Sequence, residues 1–342
     1  ISNQFIIRHD WRKPIVLHNK PVQSGKTSSN NSKYSNDKDS EFTRYSKSII
    51  SKHSNSMKKK RWYGPIFSVF RWLKLIARIS LQRNIVANDR ALFRTRRLNK
   101  PKLFRLNVQR ALVNAKTLRT YRELMISEPE LDKKYIYFAL HFQPERSTQP
   151  EGVFFDQQYL AVSLLAKALP SDWRIYVKEH PRQFDVWPPD LRKMHARSDD
   201  FYKKLVELGN VSLIDPSFDS EELVEHAQLT GTITGTSSWQ ALKKGKPSLV
   251  FANTWYSPCK SCAVIESVED ARLAIDHFAS KTPDQVETDV SNFIVELTPH
   301  LVTSFPGTHI SSLDDQDPTF RAMISSLAQA ISAIVNGKSD SL

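Results

Sequence analysis

The residues best suited to chemistry gather in three short runs. Leu140-His141-Phe142-Gln143-Pro144-Glu145 follows the β-rich stretch KYIYFAL (134–140). Lys178-Glu179-His180-Pro181 ends WRIYVKEHP (173–181). Gly235-Thr236-Ser237-Ser238 lies inside LTGTITGTSSWQAL (229–242). The third run has the simplest mechanics. A glycine lets a strand turn sharply into a helix. The first N–H groups of that helix and its dipole attract an anion, and the hydroxyls of Thr236, Ser237 and Ser238 add donors. The result is a phosphate seat, although Ser and Thr at a helix start also serve as plain N-caps. The second run supplies charge. Lys178 and His180 alternate along an extended chain and so are expected to face one side. His180 can donate to a phosphate oxygen, and Pro181 stops the strand and fixes where the histidine points. The first run supplies candidates for proton transfer: Glu145 as a base, with His141 either a catalytic group or a packed core residue. Asp156, a little further on, is a second carboxylate, or a cap for the helix that follows.

These groups need a scaffold that brings strand ends together. Strand-like runs at 134–140, 174–180, 211–215, 229–235 and 247–252 alternate with helical patterns at 154–169, 198–208, 220–227 and 236–244. Ser198 or Asp199 is the expected cap of the second helix. Such alternation predicts an α/β fold, a Rossmann-like parallel sheet with helices on both faces. Ligands of these sheets bind beyond the carboxyl ends of the strands, where all three runs fall. Further helices are expected at 267–279, 283–298 and 317–336, with Pro299 and Pro306 separating the last two. No internal repeat is present.

The 342 residues are enough for two domains, and charge divides them. Residues 1–130 carry 29 Lys/Arg against 8 Asp/Glu, whereas residues 131–342 carry 20 against 28. Residues 1–60 read as a poorly ordered, basic, low-complexity segment rich in Ser, Asn and Lys. Residues 61–130 read as a basic helical region, a remnant of or link to a further domain, and 131–342 as the Rossmann-like domain with C-terminal helices. Met57-Lys58-Lys59-Lys60-Arg61 is a basic run. Within the second region, Ile66 to Leu81 forms an amphipathic basic helix, too charged and too short to span a bilayer. It suits either a protein surface or an anionic membrane. Residues 86–127 continue as helical sequence with Pro101 as a break, and strand and helix do not alternate convincingly before 134. The chain starts at Ile1, without a signal-peptide pattern. Nucleic acid is an unlikely partner, because the basic residues fall on low-complexity sequence and helices rather than on a recognised binding module.

The two cysteines, Cys259 and Cys262, form one C-x-x-C, which lacks the second ligand pair of a zinc site. They read as reduced loop thiols. No metal site is expected.

Taken in order, KYIYFALHFQPE, FFDQQYLAVSLLAKALP, WRIYVKEHP and TGTSSWQALKKGKPSLVFANTWY resemble the capsule polysaccharide biosynthesis family, bacterial GT-B-type glycosyltransferases that include transferases of Kdo (3-deoxy-manno-octulosonic acid). The resemblance covers about residues 134–257. The His-Pro and Ser-Ser elements are also similar to those of bacterial sialyltransferases, which hold the CMP part of their donor with them. The resemblance implies that residues 131–342 form a GT-B C-terminal-type domain. It implies that His180 with Pro181, and Ser237 with Ser238, contact a CMP phosphate and ribose. Lys178, Gly235, Thr236 and Gln240 complete the implied nucleotide site. Many relatives carry Glu where this chain has Gln240, and an amide there would bond a ribose hydroxyl without charge. The implied substrate is a CMP-activated acidic sugar, with no separate cofactor. The implied acceptor is a glycan or lipid-linked glycan, handled in the cytoplasm or at the inner face of the plasma membrane. A GT-B enzyme also needs an N-terminal acceptor domain, and residues 1–130 do not read as one. The rival expectation is therefore a nucleotide-binding remnant that docks on a membrane or a partner and binds nucleotide without turnover.

Overall fold

The computed structural model describes residues 100–144, 148–184 and 197–297, together with the short strands Gln4–Phe5, Val86–Asp89, Arg94–Arg97 and Val302–Thr303 and a few isolated positions between 321 and 332. Glu145, the low-complexity segment 1–60 apart from Gln4–Phe5, the basic run 57–61 and the expected helix 66–81 lie outside the described residues, as does most of the expected helix 317–336.

The body is α/β, as expected. Its elements are α1 (Lys100–Leu124), β1 (Met125–Ile126), β2 (Tyr135–Ala139), α2 (Gln158–Ala168), β3 (Arg174–Lys178), α3 (Asp199–Val206), β4 (Val211–Ile214), α4 (Ser220–His226), β5 (Leu229–Thr232), α5 (Thr236–Leu242), β6 (Ser248–Val250), β7 (Cys262–Val264), α6 (Val268–Ala279) and α7 (Pro283–Leu297). The seven-stranded sheet runs β7-β6-β5-β2-β3-β4-β1. Every pairing in it is parallel, with Ala139 beside Lys178 and Phe138 beside Gly231.

Helices cover both faces. On one face Ile136, Phe138, Ile175, Val177, Leu213 and Leu249 pack against Leu165 of α2, Leu205 of α3 and Ile275 and Phe278 of α6. On the other, Tyr135, Tyr137, Tyr176 and Ile214 pack against Leu223 and Val224 of α4 and Ala241 of α5. Trp239 and Leu242 of α5 join Val286, Val290 and Phe293 of α7 in a third cluster. Fully burying each such side chain stabilises by about 1.5–3 kcal/mol, which explains why strands buried on both sides read as continuous apolar runs.

Three local expectations change. Val86–Asp89 and Arg94–Arg97 form an antiparallel pair where helix was expected; Asn88 and Asp89 are poor helix formers that favour turns. Pro101 opens α1 rather than breaking it, since a proline in the first turn loses no helical hydrogen bond. A strand also precedes residue 134: Met125–Ile126 pairs with Leu213–Ile214 at the sheet edge. Consequently α1 packs into the domain instead of standing apart, with Tyr121 fully buried and its hydroxyl donating to Ile214 O at 2.6 Å.

Helix ends follow their sequence signals. Ser198 caps α3, its Oγ accepting from Phe201 N. Ser267 and Asp270 form a reciprocal capping box on α6. Gly245, at φ +72° after α5, takes the left-handed conformation that glycine tolerates, and a Cβ there would stand 2.8 Å from Pro283 Cβ.

Candidate functional site

Beyond the carboxyl end of β2 the chain runs on through His141, Phe142 and Gln143, with His141 bonded towards the end of β5 and Gln143 towards the loop after β3. Two glutamines hold it there. Gln158, at the start of α2, accepts from His141 N at 2.8 Å and donates to His141 O at 3.3 Å. Gln183, past the end of β3, accepts from Gln143 N at 2.8 Å and donates to Gln143 O at 3.2 Å. Each amide acts as one rung of a missing strand, satisfying backbone groups that would otherwise be buried without partners.

The His141 ring is buried and turned towards β5. Its Nε2 accepts from Thr234 N at 3.1 Å and lies 2.9 Å from Thr232 Oγ1. An accepting ring nitrogen carries no proton, so the proton of His141 belongs on Nδ1. His180 shows the opposite arrangement. Its Nδ1 accepts from Arg182 N at 3.2 Å, which leaves Nε2 as the donor atom. The His180 ring is partly exposed and packs edge-on against Phe142, with centroids 5.6 Å apart. Pro181 follows it into a turn closed by Gln183 N donating to His180 O.

Lys178 does not share the side of His180. The strand ends at Lys178, and the turn at Pro181 redirects the histidine, so strand alternation no longer relates the two. The buried ammonium of Lys178 instead donates to Phe218 O at 2.7 Å and to Ser220 Oγ, at the start of α4. Burial pushes its pKa down to about 8, against the raising pull of Asp219 and Asp215.

Glu179, part of the second run but given no role there, joins several of these residues. It is buried, its Oε1 accepts from His180 N at 2.8 Å, and its Oε2 accepts from Arg197 Nε at 2.8 Å and Tyr202 OH at 2.6 Å. Arg197 also donates through Nη2 to His141 O at 3.0 Å and stacks 4.5 Å from the Phe201 ring centroid. Burial works against the arginine's charge, but Glu179 and Tyr202 outweigh it and raise its pKa above the ordinary value. Burial, then the charge of Glu179, push the Tyr202 phenol well above its usual range, keeping it a donor. A charged run before His-Pro reads as solvent-facing, and Arg197 lies 18 positions on, so the pairing had no local signal.

At the end of β5, Gly235 opens α5. A Cβ at Gly235 would stand 2.7 Å from Thr232 Oγ1 and 3.3 Å from His141 Cε1, so close approach, not an unusual φ, selects glycine. The three hydroxyl residues divide. Thr236 is exposed and Ser237 half-buried, while Ser238 is fully buried, its hydroxyl enclosed near Tyr256 and its carbonyl accepting from Ser248 Oγ at 3.0 Å. Tyr256 OH donates to Gly235 O. Gln240 is half-buried on the same short helix. Asp156 ends a 3-10 turn, Val153–Asp156, and accepts from Gln149 Nε2 at 3.0 Å, while Gln157 rather than Asp156 occupies the N-cap position of α2.

The structure thus places His141, His180, Pro181 and the Gly235–Ser237 turn at the carboxyl end of the sheet. The His180 and Gly235 ends are not adjacent strands, because β2 lies between β3 and β5. The strands that lead to them, β3 and β5, are two interstrand steps apart, about 10 Å. Among the described residues no group of three or more His, Cys, Asp or Glu could hold a metal ion, and no helix is long and apolar enough to cross a membrane.

No protein-family model and no curated protein sequence matches the chain. Solved structures overlap it in part. A UDP-GlcNAc 2-epimerase of Methanocaldococcus jannaschii, in complex with UDP-GlcNAc and UDP, aligns with a TM-score of 0.33 at 13% identity, over 55% of this chain and 51% of that one. KpsC of Thermosulfurimonas dismutans, a beta Kdo 2,7 transferase, aligns with a TM-score of 0.30 at 14% identity, over 55% and 66%. A trehalose-6-phosphate protein from E. coli bound with UDP-2-fluoro glucose aligns with a TM-score of 0.34 at 8% identity, over 54% and 46%. The chain spans about half the length of the epimerase.

Proposed function

We propose that residues 100–297 are the donor-nucleotide half of a glycosyltransferase of surface polysaccharide synthesis, transferring an acidic, Kdo- or sialic-acid-like sugar from a CMP-activated donor to a glycan or lipid-linked glycan. The observation that carries this reading is the pair of turns flanking β2 at the carboxyl end of the sheet. One presents His180 with its Nε2 as donor; the other presents the start of α5 with Thr236 and Ser237. The sequence resemblance supplies the nucleotide and the sugar class.

In this reading the two turns hold the CMP phosphate and ribose. As the bond between the anomeric carbon and the phosphate oxygen breaks, charge grows on the departing phosphate. A donor already aimed at it stabilises that charge more than it stabilises the bound ground state. An acceptor hydroxyl attacks the anomeric carbon and gives its proton to a carboxylate, with Glu145 and Asp156 the candidates. His141 has its Nε2 accepting from Thr234 N, just past β5, so its part is to shape the floor between the turns. Lys178, turned towards Phe218 and Ser220, acts through its long-range positive charge rather than by contact.

Titration calorimetry of the chain with CMP and with UDP tests the reading. CMP binding that weakens about tenfold or more in His180→Ala is expected, the worth of one charge-assisted hydrogen bond. Unchanged affinity in His180→Ala would remove the site, and a preference for UDP would remove the CMP assignment.

A further inference from the structure

We infer that Arg197 is a positioning residue that, through its buried pair with Glu179, locks the His180 turn to the His141 segment and thereby to the Gly235 turn. The route is continuous. His180 N donates to Glu179 Oε1 at 2.8 Å, and Glu179 Oε2 accepts from Arg197 Nε at 2.8 Å. Arg197 Nη2 donates to His141 O at 3.0 Å, and the His141 ring accepts from Thr234 N, one residue before Gly235. Glu179 and Arg197 expose 0% and 6% of their side chains, so water does not substitute for either partner.

Stability alone gives little reason for such a pair. Removing two charges from water offsets most of their attraction, and apolar residues of similar size often do as well. What the pair supplies is geometry. The guanidinium is a rigid fork that reaches two acceptors on two different loops at once, which a lysine ammonium on a flexible stem does not reproduce. Stacking on Phe201 and the Tyr202 hydroxyl on Glu179 Oε2 fix the fork further. The functional consequence rests on the proposed nucleotide site: a ligand touching both turns gains from a fixed separation, and one touching a single turn does not.

The experiment uses the full chain with 15N-labelled histidine, following the ring resonances of His141 and His180, each assigned by its own His→Gln variant. Arg197→Lys should keep the charge beside Glu179 and lose the bond to His141 O, shifting His141 and leaving His180 in place. The double variant Glu179→Leu/Arg197→Met strands no buried charge. It should melt cooperatively while both resonances shift, and CMP affinity should fall about tenfold, the usual scale of coupling between sites. A folded double variant in which either histidine stays at its wild-type position overturns the inference. So does Arg197→Lys moving His180 and not His141. Failure of the wild-type chain to bind CMP or UDP would overturn the nucleotide reading, and the resonances would still decide the role of Arg197.

Discussion

Gln158 meets the backbone of His141 as a neighbouring strand would, accepting its N–H at 2.8 Å and donating to its carbonyl at 3.3 Å. Gln183 does the same for Gln143. The segment past β2 is therefore held by side-chain amides where the ladder of the sheet has ended. In Gln158→Leu the His141 N–H loses its partner inside the protein, while the carbonyl keeps Arg197. A loss of about 1–3 kcal/mol is expected, read from the urea midpoint. Gln157→Ala, at the exposed neighbouring position, should stay close to wild type.

Gly235→Ala should destabilise by about 1–3 kcal/mol through overpacking, because the added methyl would press on Thr232 Oγ1 and His141. Gly245→Ala should lose a similar amount, about 1–3 kcal/mol, but from backbone strain at φ +72° and the Pro283 contact. Thermal melts of the two variants should fall together. Only Gly235→Ala should also shift the His141 ring resonance.

Lys178 gives a pH dependence with a definite sign. Its folded pKa of about 8 lies below the unfolded value of 10.5, so the unfolded chain holds more protons between these values. Stability contributed by this residue is complete above 10.5 and is lost as pH falls through 8, by up to about 3 kcal/mol. Raising the pH from 8 to 10.5 should therefore favour wild type relative to Lys178→Met. Denaturation midpoints of both proteins across that window provide the measurement, and a constant difference would show that the buried ammonium is not destabilised.

Burial pushes the thiol of Cys259 up, and that of Cys262 well up. Both residues are free and buried. Because the thiolate is the reactive form, alkylation by iodoacetamide at neutral pH should be slow in the native protein and fast in urea. Rapid native labelling of either cysteine would contradict their placement.

The fold was legible where physics acts locally. The central strands announce themselves as runs such as YIYFA and RIYVK because both of their faces are buried, and Ser198 and Ser267 announce helix starts. Met125–Ile126 and Cys262–Val264 did not, since two or three residues at a sheet edge carry no periodicity. The candidate site was legible as three strand ends, and that grouping follows from parallel topology. The direction of Lys178 was not, because it depends on the chain leaving the strand one residue later. The importance of Glu179 was hidden for a different reason. Its partners Arg197, Tyr202 and the His180 backbone come together only in three dimensions, and a lone carboxylate in a polar run gives no sign that it is buried.

The central position of β2 has a consequence for selectivity. A strand cannot be squeezed out from between its two neighbours, so the His180 and Gly235 turns cannot close on a small molecule as two jaws would. If the proposed nucleotide site holds, a free phosphate would engage one turn at a time, and only a molecule long enough to bridge the two would engage both. The sheet would then act as a gauge, screening ligands by length before any side chain discriminates among them.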